Sequence, residues 1–346
     1  MHALIFPRWT KSFLLALVTA GAACFLTAPL NAQPGKIAAK PLFRDPVHDG
    51  AADPVLVWNR AEKRWFMLYT NRRANVPNLP GVAWVHGTRI GIAESVDNGA
   101  TWKYRGVADI DYGQPDYSLW APDVIDDGKL YHMFLSVVPG TFPDWNAPRD
   151  IVHLTSTDLL HWSHGVKLPL ASDRVIDATV IRLKNGQWRL WYKNERDKSH
   201  IYYAESPDLN QWNPGGVAVD DRAGEGAKVF EWQGRYWMIT DMWKGIAVYS
   251  SPDTTKWTAQ AEPILRDGGK LPTDREKGQH ADVVVSGGRA YIIYFTHQGG
   301  ADADPAVPNS GRHTLFQIAE LKLKDGQLTC DRDEPVRVWL APPTSR

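Results

Sequence analysis

Two patterns in this sequence predict an all-β chain, a five-bladed β-propeller of four-stranded antiparallel blades. The first is a hairpin signature that recurs at Ser95 to Trp102, Ser156 to Trp162, Ser206 to Trp212 and Ser251 to Trp257, each with an Asp two residues after the Ser. Its tryptophans stand 60, 50 and 45 residues apart. Strand-built self-similarity at that period is the mark of a propeller. The second pattern is the alternation of apolar runs with Gly, Asn and Asp turns, which divides the chain into five strand sets.

Taken in order, blade one runs through Asp53–Trp58, Arg64–Thr70 and Arg89–Glu94 into the first hairpin. Blade two runs through Ala121–Ile125, Lys129–Leu135 and Ile151–Thr155. Blade three runs through Ile176–Ile181, Trp188–Lys193 and His200–Ala204. Blade four runs through Glu225–Phe230, Tyr236–Thr240 and Ile246–Ser250, and blade five through His280–Val285, Ala290–Phe295 and Leu315–Ala319. Asp127-Gly128 and Asn185-Gly186 are tight-turn pairs, since both residue types accept positive φ. The ring must close, because an open edge invites pairing with other chains. Either Lys40–Arg44 or Val336–Leu340 can add the closing strand, and the pattern does not choose between them. Long insertions separate second and third strands at 71–88, 139–149 and 299–312. Loops of that length in a compact fold are where binding groups collect.

Residues 1–32 read as a secretory signal peptide. Arg8 and Lys11 precede an apolar, small-residue run from Ser12 to Leu26, and Ala32 is the expected cleavage point. Residues 33–346 are then one domain, secreted or periplasmic, with no membrane span in the mature chain. It keeps one cysteine, Cys330, so no internal disulfide is available. The 39 acidic and 39 basic residues balance, which argues against nucleic acid as a partner. Sixteen tryptophans are the compositional outlier. Trp102, Trp162, Trp212 and Trp257 belong to the hairpins, and Trp65, Trp191 and Trp237 to strand cores. Trp84, Trp120, Trp145 and Trp243 fall outside both patterns and are candidates for stacking on sugar rings.

The chemistry is expected at the blade starts. Each delivers an ionisable side chain at the entry to an apolar inner strand: Asp53, Asp123, Asp177, Glu225 and His280. An Asp at a strand start can also merely cap a turn. A set of five facing one funnel has another use, because gathered carboxylates raise one another's proton affinity. One carboxylic acid and one carboxylate are what glycoside hydrolysis needs.

Asp53-Pro, Trp120-Ala-Pro-Asp123 followed by Asp127-Gly-Lys-x-Tyr131, Ile176-Asp177, Glu225-Gly226 and Gly278-Gln-His280 together resemble glycoside hydrolase family 43. The resemblance covers about Asp45 to Phe295. It implies Asp53 as general base, Glu225 as general acid and Asp177 as the residue that tunes the acid and orients substrate. It makes Asp123 a supporting residue and His280 the central histidine, which often sits beside a metal ion or a water cluster. No cofactor is required, though the resemblance admits a structural calcium ion in the central channel with His280 as its contact. Arg72, Trp84, His86, Trp120, Asp123 and His280 are the expected substrate-binding residues, with an oligosaccharide of plant or algal origin as the partner. Inversion follows from the same likeness, and exo action from the long blade-one loop at 71–88, which suggests a pocket. Three departures, Ala178 and Ala227 where the family often has Pro and the insertion Trp84-Val-His86-Gly87, bear on substrate more than on fold. The hairpins also resemble the Asp-box of sialidases, whose Tyr and Arg-triad sites these blade starts do not match. Two other readings are weighed. A carbohydrate-binding propeller without catalysis would repeat one site on every blade, whereas these starts differ. A phosphorylase would need a cationic cluster, for which Arg72, Arg73 and His86 are the candidates.

Overall fold

The computed structural model describes residues 1–3, 35–299 and 309–343. The signal-peptide reading and the central part of the 299–312 insertion lie outside the described residues. Pro34–Arg346 form one compact unit, and its described residues are all-β apart from three short 3-10 turns.

Five sheets follow one another along the chain. Blade one comprises Ala51–Asn59, Arg64–Asn71, Arg89–Ser95 and Lys103–Val107. Blade two comprises Ser118–Asp126, Tyr131–Val138, Asp150–Ser156 and His161–Lys167, with Asp109–Ile110 added in parallel at its outer edge. Blade three comprises Val175–Arg182, Trp188–Asn194, His200–Ser206 and Asn213–Val219. Blade four comprises Glu225–Trp232, Arg235–Asp241, Ile246–Ser251 and Thr258–Ala259. Blade five comprises Gln279–Ser286, Arg289–His297, Thr314–Lys324 and Gln327–Cys330. The inner strand of each blade packs on that of the next, and blade five's packs on blade one's, so the ring is closed. Among the described residues no helix is long and apolar enough to cross a membrane.

The recurring signature joins third to fourth strands in blades one to four. Its Ser hydroxyl accepts a backbone N–H inside the turn, as at Gly99, Leu159 and Thr254. The Asp carboxylate collects others, Leu160 and His161 on Asp158 being one case. The indoles of Trp102, Trp162 and Trp212 donate to the carbonyl three residues back while their rings are buried. These residues build the turn and its packing.

Ring closure uses both ends of the unit. Blade five completes itself with Gln327–Cys330, so neither candidate segment supplies its fourth strand. Instead Lys36–Ile37 pairs antiparallel with Arg337–Val338. Phe43 bridges Phe316 on the third strand of blade five. Leu42, Phe43, Val336, Val338 and Leu340 then fill one apolar cluster with Trp65, Met67, Tyr291 and Phe316, across the seam of blades five and one. Burying those side chains ties the last blade to the first without a shared strand.

Candidate active site

Every inner strand breaks register at the same place. The irregularities fall between Ala52 and Val55, Trp120 and Asp123, Ile176 and Thr179, Glu225 and Lys228, and Gln279 and Asp282. A bulge of this kind re-aims side chains. In four of them the second residue has positive φ: Asp53 at 52°, Ala121 at 43°, Asp177 at 61° and Gly226 at 57°. Asp tolerates that conformation better than most residues, and its recurrence beside one cavity is a mark of function.

The bulges set the true alignment of the five starts. Asp53, Ala121, Asp177, Gly226 and His280 share one position, and Glu225 stands one residue earlier, level with Trp120, Ile176 and Gln279. Asp123 stands two residues later than expected, level with Lys228 and Asp282. It does not line the cavity. Its Oδ2 accepts the N–H of Val180 and its Oδ1 lies 3.0 Å from Lys228 Nζ, which also lies 2.8 Å from Asp282 Oδ1. Asp123 therefore belongs to a buried ion cluster on the inner strands, which corrects its assignment to substrate binding.

The remaining blade-start groups converge on a cavity of about 450 Å³, lined by Asp53, Asp177, Glu225 and His280 together with Arg72, Trp84, Trp120, Trp145, Arg149, Lys193, Glu195, Trp243 and His297. His280 Nδ1 lies 3.1 Å from Asp53 Oδ1. Burial opposes the charge on both, but the pairing prevails. The histidine is pushed up to about 10 by Asp53, Asp177 and Glu225, and the Asp53 carboxyl is held below its usual range by His280 and Arg72. Asp177 accepts the N–H of Gly226 at 3.0 Å. Burial, with Glu225 and Asp53 nearby, pushes its carboxyl up against the pull of His280 and Lys193. Glu225 receives two donors, Lys193 Nζ at 2.8 Å and the Trp243 indole at 2.9 Å. Asp241 braces the site from behind, accepting the backbone N–H groups of Trp243 and His280.

Trp84, Trp120, Trp145 and Trp243 all line the cavity. His86 does not. It is buried behind the wall, with ring centroids 5.0 Å from Trp120, 5.8 Å from Phe142 and 6.2 Å from Trp145. Burial lowers its imidazole to about 4, and its Nε2–H donates to the carbonyl of Asp144. It positions two tryptophans and does not face a ligand. Arg73 binds the carbonyl of Ala83 and is also outside the cavity. Of the cluster proposed for phosphate, Arg72 alone reaches the site.

His280 is engaged by Asp53 at 3.1 Å, and while it carries its proton the imidazole offers no free lone pair to a metal ion. Further along the same strands the Lys228 ammonium already supplies the positive charge between Asp123 and Asp282. Among the described residues no three or more His, Cys, Asp or Glu side chains are arranged to hold one metal ion.

Sequence reasoning missed Arg149, Lys193, Glu195 and His297. Lys193 Nζ lies 3.1 Å from Glu195 Oε1, and Arg149 and Arg174 each lie 3.0 Å from Glu195 Oε2. For all but Arg149 the signal is positional. Thr70 and Arg72, Lys193 and Glu195, and Phe295 and His297 are i, i+2 pairs at or just past the ends of second strands, where one face turns toward the cavity, and Trp243 holds the same place in blade four.

No protein-family model and no curated protein matches the sequence. Many solved structures share the fold. A thermostable family-43 glycoside hydrolase superposes with a TM-score of 0.62 at 20% identity, over 88% of this chain and 100% of the other. A family-43 β-1,3-galactosidase with galactodeoxynojirimycin gives 0.63 at 14%, over 85% and 98%. A family-43 enzyme from Xanthomonas citri complexed with xylose gives 0.57 at 14%, over 81% and 89%. At these identities the likeness establishes the five-bladed fold.

Proposed function

We propose that the protein is a glycoside hydrolase, in which Asp53 is the general base, Glu225 the general acid and Asp177 the carboxyl that orients substrate and tunes the proton balance. The observation that carries the reading is the convergence of these three carboxyls, from blades one, three and four, on one aromatic-walled cavity. Asp53 is kept ionised by His280, as a base must be. Asp177 has the raised proton affinity that holds a proton in the cluster near neutral pH. Four tryptophans provide apolar faces for sugar C–H groups. The many family-43 enzymes among the structural neighbours support the assignment of activity, and those with bound sugars support an oligosaccharide substrate. Inversion, exo action, and export directed by residues 1–32 belong to the same proposal. A screen of chromogenic aryl glycosides, followed by NMR of the first-formed anomer, tests it. Release of aglycone with inverted configuration is expected. No turnover of any glycoside would remove the reading, and retained configuration would remove the role of Asp53 as base.

A further inference from the structure

Three of the four cations lining the cavity have a carboxylate partner. Lys193 stands 2.8 Å from Glu225, Arg149 3.0 Å from Glu195, and His280 3.1 Å from Asp53. Arg72 is the exception: among the described residues it has no carboxylate within ion-pair distance. Its Nη2 donates to Thr314 Oγ1, and its Nε is buried with no hydrogen-bond partner. The guanidinium packs 4.6 Å from the Phe295 ring centroid and 5.3 Å from that of Trp84. A second guanidinium, Arg312, lies 5.8 Å from the same Trp84 ring, and its Nη1 is also buried without a partner.

A half-buried cation with no carboxylate in contact is costly, and a partner removed from water is the usual remedy. Asp53 and Glu225 act on Arg72 only at longer range, because Asp53 Oδ1 faces His280 and Glu225 Oε2 faces Lys193. His297 does not compete for an anion either: burial and the charge of Arg72 lower it to about 3, so it stays neutral. Nε is sealed from the cavity and Nη2 is engaged, so the wall formed by blades five and one presents the remaining amino group, Nη1, of a planar cation held between two rings. That is a receptor for an oxyanion.

We infer that Arg72 is the anchor for an anionic group on the substrate, so that the preferred substrates are acidic oligosaccharides carrying a uronate carboxylate or a sulfate ester. This rests on the glycoside hydrolase reading for the reaction, though not for the binding. Trp84 and Phe295 fix the guanidinium by packing on it, and sugar rings bearing the anion lie toward the neighbouring Trp84 and Trp120 faces.

The test uses the wild-type protein first. Galacturonate and glucuronate, their methyl esters, galactose 6-sulfate and galactose are titrated by calorimetry, and the same sugars compete in aryl glycoside turnover. At least one anionic sugar is expected to bind about tenfold or more tightly than its neutral counterpart, with the preference shrinking as salt is raised. The carboxylate and sulfate arms identify which anion is the natural one. Arg72→Gln should erase the preference, and Arg72→Lys should retain part of it. Equal binding of acid, sulfate and neutral sugar by the wild-type protein overturns the inference, whether or not the variants fold. Cleavage of neutral glycosides without acid preference would sink this inference alone. Arg72-dependent binding of an acid with no glycoside cleaved would sink the hydrolase reading alone.

Discussion

The ammonium of Lys193 stands 2.8 Å from Oε2 of Glu225 and, through its other contact at 3.1 Å, links that carboxyl to Glu195. The group proposed to donate a proton therefore rests against a cation. Beside it Asp177 and Asp241 are both pushed up, in each case by burial first. Catalysis then depends on how Lys193 and the carboxyls divide the charge. Lys193 pulls Asp177 down. Lys193→Met should therefore move the alkaline limb of the pH–rate profile upward, by roughly one pH unit. Asp177→Asn removes the carboxyl of raised affinity and should move that limb downward. Limbs that shift in the same direction in both variants would contradict this account.

Glu225→Gln and Asp53→Asn separate the acid from the base. A leaving group that needs no proton bypasses the acid, but no substrate bypasses the base. Glu225→Gln should lose activity on natural oligosaccharides by about a hundredfold or more while largely keeping it on activated aryl glycosides. Asp53→Asn should lose both. Steady-state kinetics on the two substrate classes decide it, and wild-type turnover of oligosaccharide by Glu225→Gln would exclude that residue as the acid.

Trp84 and His86 lie two residues apart yet face differently, one in the cavity and one behind it. Trp84→Ala should raise KM by about threefold to tenfold with a smaller effect on kcat, since stacking holds ground and transition states alike. His86→Gln should lower Tm before it alters KM. A KM effect larger in His86→Gln than in Trp84→Ala would reverse the assignment.

Much of this was legible in the sequence because turns and strand periods are local. The hairpin signatures need only their own Ser, Asp and Trp atoms, and the tryptophans read as ligand candidates, Trp84, Trp120, Trp145 and Trp243, all line the cavity. The error at Asp123 came from aligning acidic residues when the prolines hold the register. Pro54 and Pro122 occupy equivalent places in their bulges, which sets Ala121 level with Asp53 and moves Asp123 two residues on. Lys193 and Glu195 were missed because their strand reads as an ordinary apolar run from Trp188, and only the ring's curvature brings its end to the site.

The cluster of Lys228 with Asp123 and Asp282 is a stability element. Removing one partner of a buried pair leaves an uncompensated charge. Lys228→Met should cost about 3–5 kcal/mol. Burial already raises Asp123 against the pull of Lys228. A carboxyl with raised folded-state affinity favours folding below its unfolded value and loses that advantage as pH rises. The deficit of Lys228→Met should thus be largest near neutral pH and smallest in acid. Denaturant titrations at several pH values test this, and a deficit that grows in acid would refute it.

Blade two carries the opposite sensitivity. His132 Nδ1 and His153 Nε2 are 2.9 Å apart, with His153 stacked on Phe134 at 4.8 Å. Burial, and then the neighbouring His132, lowers His153 to about 4 from 6.5. The folded state keeps this ring neutral, whereas the unfolded chain takes up a proton below its own value. Its contribution is therefore complete above pH 6.5 and is lost as pH falls from there toward about 4. The shift corresponds to roughly 3 kcal/mol across that window. His153→Gln keeps a hydrogen-bonding group for His132 and removes the titration. It should be less stable than wild type near neutrality, where the Phe134 stacking is lost, and should lose less stability on acidification to pH 4.5. Parallel pH–stability curves for the two proteins would show that His153 does not govern the acid response.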